Sequence, residues 1–100
     1  TEGVSTLLSS PEVAFNPDNA IEQIANQRYV HLFMHGYEAW SEWRRTGYPD
    51  NLVQPNGVEI PKRLAYPDNE VFNNAENYNA VIQRIGGENS IYTEVWWDED

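Results

Sequence analysis

The chain has 100 residues, with six lysines and arginines against sixteen aspartates and glutamates, a formal charge of −10 at pH 7. A surface this acidic repels phosphate backbones and anionic headgroups, which excludes nucleic acid as a partner and a polybasic membrane anchor. There is no cysteine, hence no disulfide framework, thiolate nucleophile or cysteine-ligated zinc, and no apolar run approaches the ~18 residues of a membrane-spanning helix.

The length suits one domain with a single modest core. Aromatic residues make up 13% of the chain, four of them tryptophan, which argues against disorder. The chain opens at Thr1, and its one methionine is Met34. It therefore reads as a processed product or as a piece of something longer.

Residues 1–17 read as an irregular lead-in. Val4, Leu7, Leu8, Val13 and Phe15 follow no clean period, and Pro11 and Pro17 punctuate the stretch; a short helical turn over 4–9 is a weak alternative. One long helix is expected over 18–46. Asn16 can cap it, Pro17 suits its first position, and Asp18 lies near the positive end of the dipole. Ile21, Ala25, Tyr29, Leu32, Gly36, Ala39, Trp40 and Trp43 recur at three- and four-residue steps, as on one helix face. Arg44 and Arg45 sit in the last turn, Gly47 can end it and Pro49 stops it. Val30, Met34 and Tyr37 lie off the main face, so this helix should be covered on more than one side, as in a layered helical array.

Residues 47–73 read as loops, with turn chemistry at Tyr48-Pro49-Asp50-Asn51, at Gln54-Pro55-Asn56-Gly57 and again at Tyr66-Pro67-Asp68-Asn69. A short extended stretch over 58–65 fits between them. A second helix is expected over 74–86, with Asn73 and Glu76 resembling a capping box. Tyr78, Val81, Ile82 and Ile85 form its apolar face, and Gly86-Gly87 ends it. The tail, 87–100, carries Ile91, Tyr92, Val95, Trp96 and Trp97 before an acidic end.

Chemistry is sparse. His31 and His35 have the i,i+4 spacing with which two imidazoles can share a metal on a helix, yet Leu32 stands where the zinc-protease pattern needs Glu. Two partly exposed histidines on a helix flank is the plainer reading, and a metal-dependent hydrolase the weaker one. No serine sits in a G-x-S-x-G elbow, and no glycine loop opens a helix to cradle phosphate. Neither a catalytic residue nor a cofactor is assigned. Trp40 and Arg44 can form a cation–π pair, and Glu42 and Arg45 can pair at i,i+3, both structural. Trp96-Trp97 can close the core beneath a loop, stack on a sugar ring, or face a partner. They are the weak ligand-binding candidates.

The run Gly36-Tyr37-Glu38-Ala39-Trp40-Ser41-Glu42-Trp43-Arg44-Arg45-Thr46-Gly47-Tyr48-Pro49 resembles the C-terminal signature of the SusD/RagB family of nutrient-binding outer-membrane lipoproteins of Bacteroidetes. Ile60-Pro61-Lys62-Arg63-Leu64-Ala65-Tyr66-Pro67, then Glu70, Asn77-Tyr78-Asn79 and the tryptophan-bearing tail follow in the family's order. The likeness spans roughly residues 20–97. It implies a mainly α-helical fold, the C-terminal part of a tetratricopeptide-like SusD-type protein with one long and one short helix and extensive loops. It also implies a non-enzymatic protein of polysaccharide utilisation that binds oligosaccharides, or in some branches peptides, at the cell surface. Such a protein acts with a SusC-like TonB-dependent outer-membrane transporter, its lipid anchor lying in the parent's missing N-terminus. On this likeness Glu38, Trp40, Arg44, Arg45, Tyr48, Pro49, Arg63, Tyr66 and Pro67 are architectural, with Glu38, Arg44 and Arg45 tying the long helix to the loop of Tyr66-Pro67. A module that docks on the transporter without touching ligand is the competing expectation.

Overall fold

The computed structural model describes residues 2–98, and its secondary structure among them is helical, with no strand. Two compact units divide at Leu52 and Val53.

In the first unit, α1 (Glu2–Leu8) occupies part of the expected lead-in and buries no residue. The hydroxyls of Thr6 and Ser9 donate back to the Glu2 and Ser5 carbonyls at 3.0 and 2.9 Å. A 3-10 turn (Pro17–Asn19) then leads into α2 (Ala20–His31). As expected, Asn16 caps this start: its side chain accepts from the Asp18 N–H at 3.0 Å, with Pro17 in the first position. Gln23 adds a clamp, accepting from the Asn16 N–H at 2.7 Å and donating to the Ala14 carbonyl at 3.0 Å.

The single helix expected over 18–46 is in fact two. α2 ends at His31, and α3 (Gly36–Thr46) begins after a four-residue break, residues 32–35. In the break the Phe33 N–H donates to Val30 and the His35 N–H to Leu32, and Met34 takes φ 72°. The apolar steps continue across this break, which hid it. What decides against a straight rod is a contact available only when the chain folds back. Arg28 of α2 donates to Glu42 of α3 at 2.9 Å, whereas 14 residues along one helix would set them roughly 21 Å apart. α3 closes as expected: Gly47 adopts φ 70°, a left-handed cap, and its N–H donates to the Trp43 carbonyl at 2.8 Å.

In the second unit a 3-10 turn (Pro55–Gly57) precedes a segment without regular structure. Where loop was expected before residue 74, α4 (Asp68–Asn73) forms, with acidic residues in its first turn, and α5 (Ala75–Arg84) packs against it. The capping box at Asn73 does not form. Asn73 ends α4, and Asn74, at φ −143°, is the N-cap of α5 without a side-chain capping bond. Ile82, on the expected apolar face of α5, is buried, and the Gly87 N–H closes that helix on the Ile82 carbonyl at 2.8 Å.

Candidate functional site

Three groupings hold the residues singled out by sequence other than His31 and His35. The first centres on Glu42, which is 8% exposed. Its Oε1 accepts from Arg28 Nε at 2.9 Å and from Arg45 Nη2 at 2.6 Å, while Oε2 accepts from Arg45 Nε at 3.3 Å. Both arginine side chains remain more than half exposed while that of Glu42 is nearly buried. The hydrogen bond from Arg45 holds the Glu42 carboxyl below its ordinary value against the opposing pull of burial, and Arg28 adds to the lowering. Arg45 in turn holds its proton more firmly, through the same hydrogen bond to Glu42. One turn away, the Arg44 guanidinium lies 3.9 Å over the Trp40 ring. Glu38 is exposed in the first turn of α3. Tyr48 and Pro49 follow the helix through a cis peptide bond, and Pro49 is buried.

The second grouping is a clasp around Arg63, itself 8% exposed. Lys62 and Arg63 both donate backbone N–H groups to the Ile91 carbonyl, at 2.8 and 3.1 Å, and Arg63 Nη1 reaches the Ser90 carbonyl at 3.1 Å. Lys62 also pairs with Glu94. Tyr66 and Asn89 exchange two hydrogen bonds of 2.9 Å each. Arg63 lies 4.8 Å from the Tyr66 ring centre, and the ring centres of Tyr66 and Tyr78 are 6.3 Å apart, edge to face. Pro67 is the N-cap of α4.

The third is the tail. Trp96 is 85% exposed and Trp97 41%. An indole ring this open is a flat apolar face that a sugar ring or a partner's side chain can cover.

Two pairings foreseen from spacing, Trp40 with Arg44 and Glu42 with Arg45, are present. Spacing missed Arg28 as the second partner of Glu42, because nothing local announces a contact across 14 residues. The shared helix face of His31 and His35 is lost at the break, since His35 is the N-cap of α3. Among the described residues no cluster of three histidines, aspartates or glutamates could hold a metal.

Comparison with known proteins agrees with this helical arrangement. The family model described as "SusD-like: Susd and RagB outer membrane lipoprotein" matches residues 8–98. Among solved structures, a chitin-binding protein is 38% identical, with a TM-score of 0.73 over 85% of this chain and 20% of its own. A Bacteroidetes protein described as AC2a SusD-like is 30% identical, with a TM-score of 0.80 over 93% of this chain and 19% of its own. A SusD homolog from Bacteroides fragilis NCTC 9343 is 33% identical, with a TM-score of 0.80 over 98% of this chain and 23% of its own. A search of curated proteins finds no match. The chain thus spans about a fifth of the length of these relatives. A family match over residues 8–98, joined to this agreement in fold, shows that the chain belongs to the SusD/RagB family of outer membrane lipoproteins.

Proposed function

We propose that this chain is part of a non-enzymatic, cell-surface nutrient-binding protein whose ligands are oligosaccharides and which passes them to a SusC-like TonB-dependent transporter in the outer membrane. A lipid anchor upstream of Thr1 would hold it there. The observation that carries the reading is the likeness over 85% of the chain to a solved chitin-binding protein at 38% identity. The open Trp96 ring supports it, as a neutral stacking surface on an otherwise acidic chain suits an uncharged, hydroxyl-rich ligand better than an anion. Glu38, Trp40, Arg44, Arg45, Tyr48, Pro49, Arg63, Tyr66 and Pro67 are assigned to architecture in this reading, and Trp96 with Trp97 to ligand contact.

The test is a glycan array followed by calorimetry on the full-length polypeptide and its Trp96→Ala variant. At least one saccharide should bind, and the variant should lose roughly tenfold in affinity or more, the loss expected for one aromatic stacking partner. A polypeptide that binds peptides and no saccharide would move the ligand class.

A second reading is favoured by the exposed apolar side chains at the α2–α3 corner, where Phe33, Met34 and Tyr37 are 78%, 86% and 81% exposed. They suit a protein partner. Co-purification with a large barrel transporter that survives Trp96→Ala, without saccharide binding, would select this docking role instead.

A further inference from the structure

The turn Gln54-Pro55-Asn56-Gly57 is exposed throughout, and its chemistry is separate from ligand binding. Of the eleven asparagines in the chain, Asn56 is the one followed by glycine. The backbone nitrogen after an asparagine can attack that side chain's Cγ, and glycine, with no Cβ, leaves the nitrogen uncrowded. The space around Gly57 is open as well. The fold holds this pair short of reaction. Asn56 stands at φ 57° and ψ 22°, which puts the Gly57 nitrogen on the far side of the Cα–C bond from the Asn56 side chain. A five-membered ring needs both on one side, so the turn must open first. Little holds it shut. Its closing bonds, from Gly57 N–H to the Gln54 carbonyl at 3.3 Å and from Val58 N–H to the Pro55 carbonyl at 3.2 Å, are long beside the usual ~2.9–3.0 Å. No residue of Pro55–Gly57 is buried, and opening relieves the left-handed backbone of Asn56. Openings that break surface hydrogen bonds and uncover no apolar core are the cheapest a protein makes.

We propose that Asn56 is a self-modification site, converting to aspartate and isoaspartate through a cyclic imide, and that opening of this turn gates the reaction. The Gly57 nitrogen, its proton passed to hydroxide, bonds to Cγ of Asn56. The Cγ–Nδ2 bond breaks, and the side-chain amide leaves as ammonia. Water then opens the ring at one of its two carbonyls. Opening at the side-chain carbonyl restores the ordinary backbone with aspartate at this position. Opening at the main-chain carbonyl routes the backbone through the side chain and lengthens it by one carbon. Either product adds a negative charge to the −10 of the chain. The second also shifts the spacing on which both closing hydrogen bonds of the turn depend.

The experiment is peptide mapping by mass spectrometry of the full-length polypeptide held at neutral and at mildly alkaline pH, with the isolated peptide of residues 54–59 as the reference for an open turn. Asn56 should convert before any other asparagine, faster at the higher pH, to both products, and more slowly than the peptide does. Gly57→Ala should slow the conversion at least about tenfold by crowding the attacking nitrogen. Alanine at φ 71° loosens the turn, so a tighter fold is not the source of that slowing. Asn56 left intact while Asn89, which precedes serine, converts overturns the proposal. So does aspartate as the sole product, the mark of direct hydrolysis without a ring, or an unchanged rate in Gly57→Ala. A polypeptide that reacts as fast as the peptide overturns the gate.

Discussion

Glu42 concentrates more charge than any neighbour: one of its oxygens receives two arginines from two helices, and the other receives one of them again. Replacing it with Gln keeps the shape and removes the charge. Because Arg28 and Arg45 are more than half exposed and regain water, Glu42→Gln should cost about 1–2 kcal/mol near pH 7, between the values for an exposed and a buried charged hydrogen bond. The loss depends on pH in a defined direction. The folded carboxyl titrates below its ordinary 4.5, so the folded state binds fewer protons than the unfolded one across that interval. The stabilisation is therefore complete above 4.5 and disappears as pH falls through the lower, folded value. Urea denaturation at about pH 7 and about pH 3 should show the parent losing more stability on acidification than Glu42→Gln, whose amide does not titrate. Parallel losses would mean that Glu42 does not carry this linkage.

At the scale of the elements, the break between α2 and α3 is held with Met34 at φ 72°. A left-handed conformation costs an L-residue about 1–2 kcal/mol, and glycine escapes that while adding about 0.5–1 in unfolded-state entropy. Met34 is 86% exposed, so no packing is lost, and Met34→Gly should raise stability by about 0.5 kcal/mol. Gly47 is the converse. Its φ is 70° and the space around it is open, so Gly47→Ala should cost about 1 kcal/mol through the backbone alone. The two denaturation midpoints should move in opposite directions; a fall for Met34→Gly would show that its side chain makes contacts that outweigh the strain. These positions also mark what sequence can and cannot show. The caps at Asn16-Pro17 and at Gly47 were legible because capping is local chemistry, and so were Trp40 with Arg44 and Glu42 with Arg45, four and three residues apart. The break was not, because Tyr29, Leu32, Gly36 and Ala39 keep the apolar steps running through it. Nor was the contact of Tyr66 with Tyr78, which are brought together across the junction of α4 and α5. Partners distant along the chain are chosen by folding back, and spacing carries no record of that.

At the scale of the whole molecule, apolar burial is thin. Among the described residues the buried hydrophobic side chains are Ala25 and Ile82, whereas Val30, Phe33, Met34, Tyr37, Phe72 and Trp96 are each at least 70% exposed. Hydrophobic stabilisation scales with the area removed from water, and so does the slope of stability against denaturant. The 100-residue chain prepared by itself should therefore unfold in urea with a slope near the bottom of the usual range, about 1 kcal/mol per molar. It should also bind an apolar dye such as anilinonaphthalene sulfonate, as open apolar faces do. Its −10 charge acts in the same direction, through self-repulsion. Raising ionic strength to ~0.15 M shortens the screening length to about 8 Å and should move the urea midpoint upward. In a longer polypeptide that covers these side chains, the slope should rise and dye binding should fall for the same residues. A steep slope with no dye binding by the 100-residue chain would show that its own residues close over the apolar faces. The corner of Phe33, Met34 and Tyr37 would then be part of its core and not a surface open to a partner.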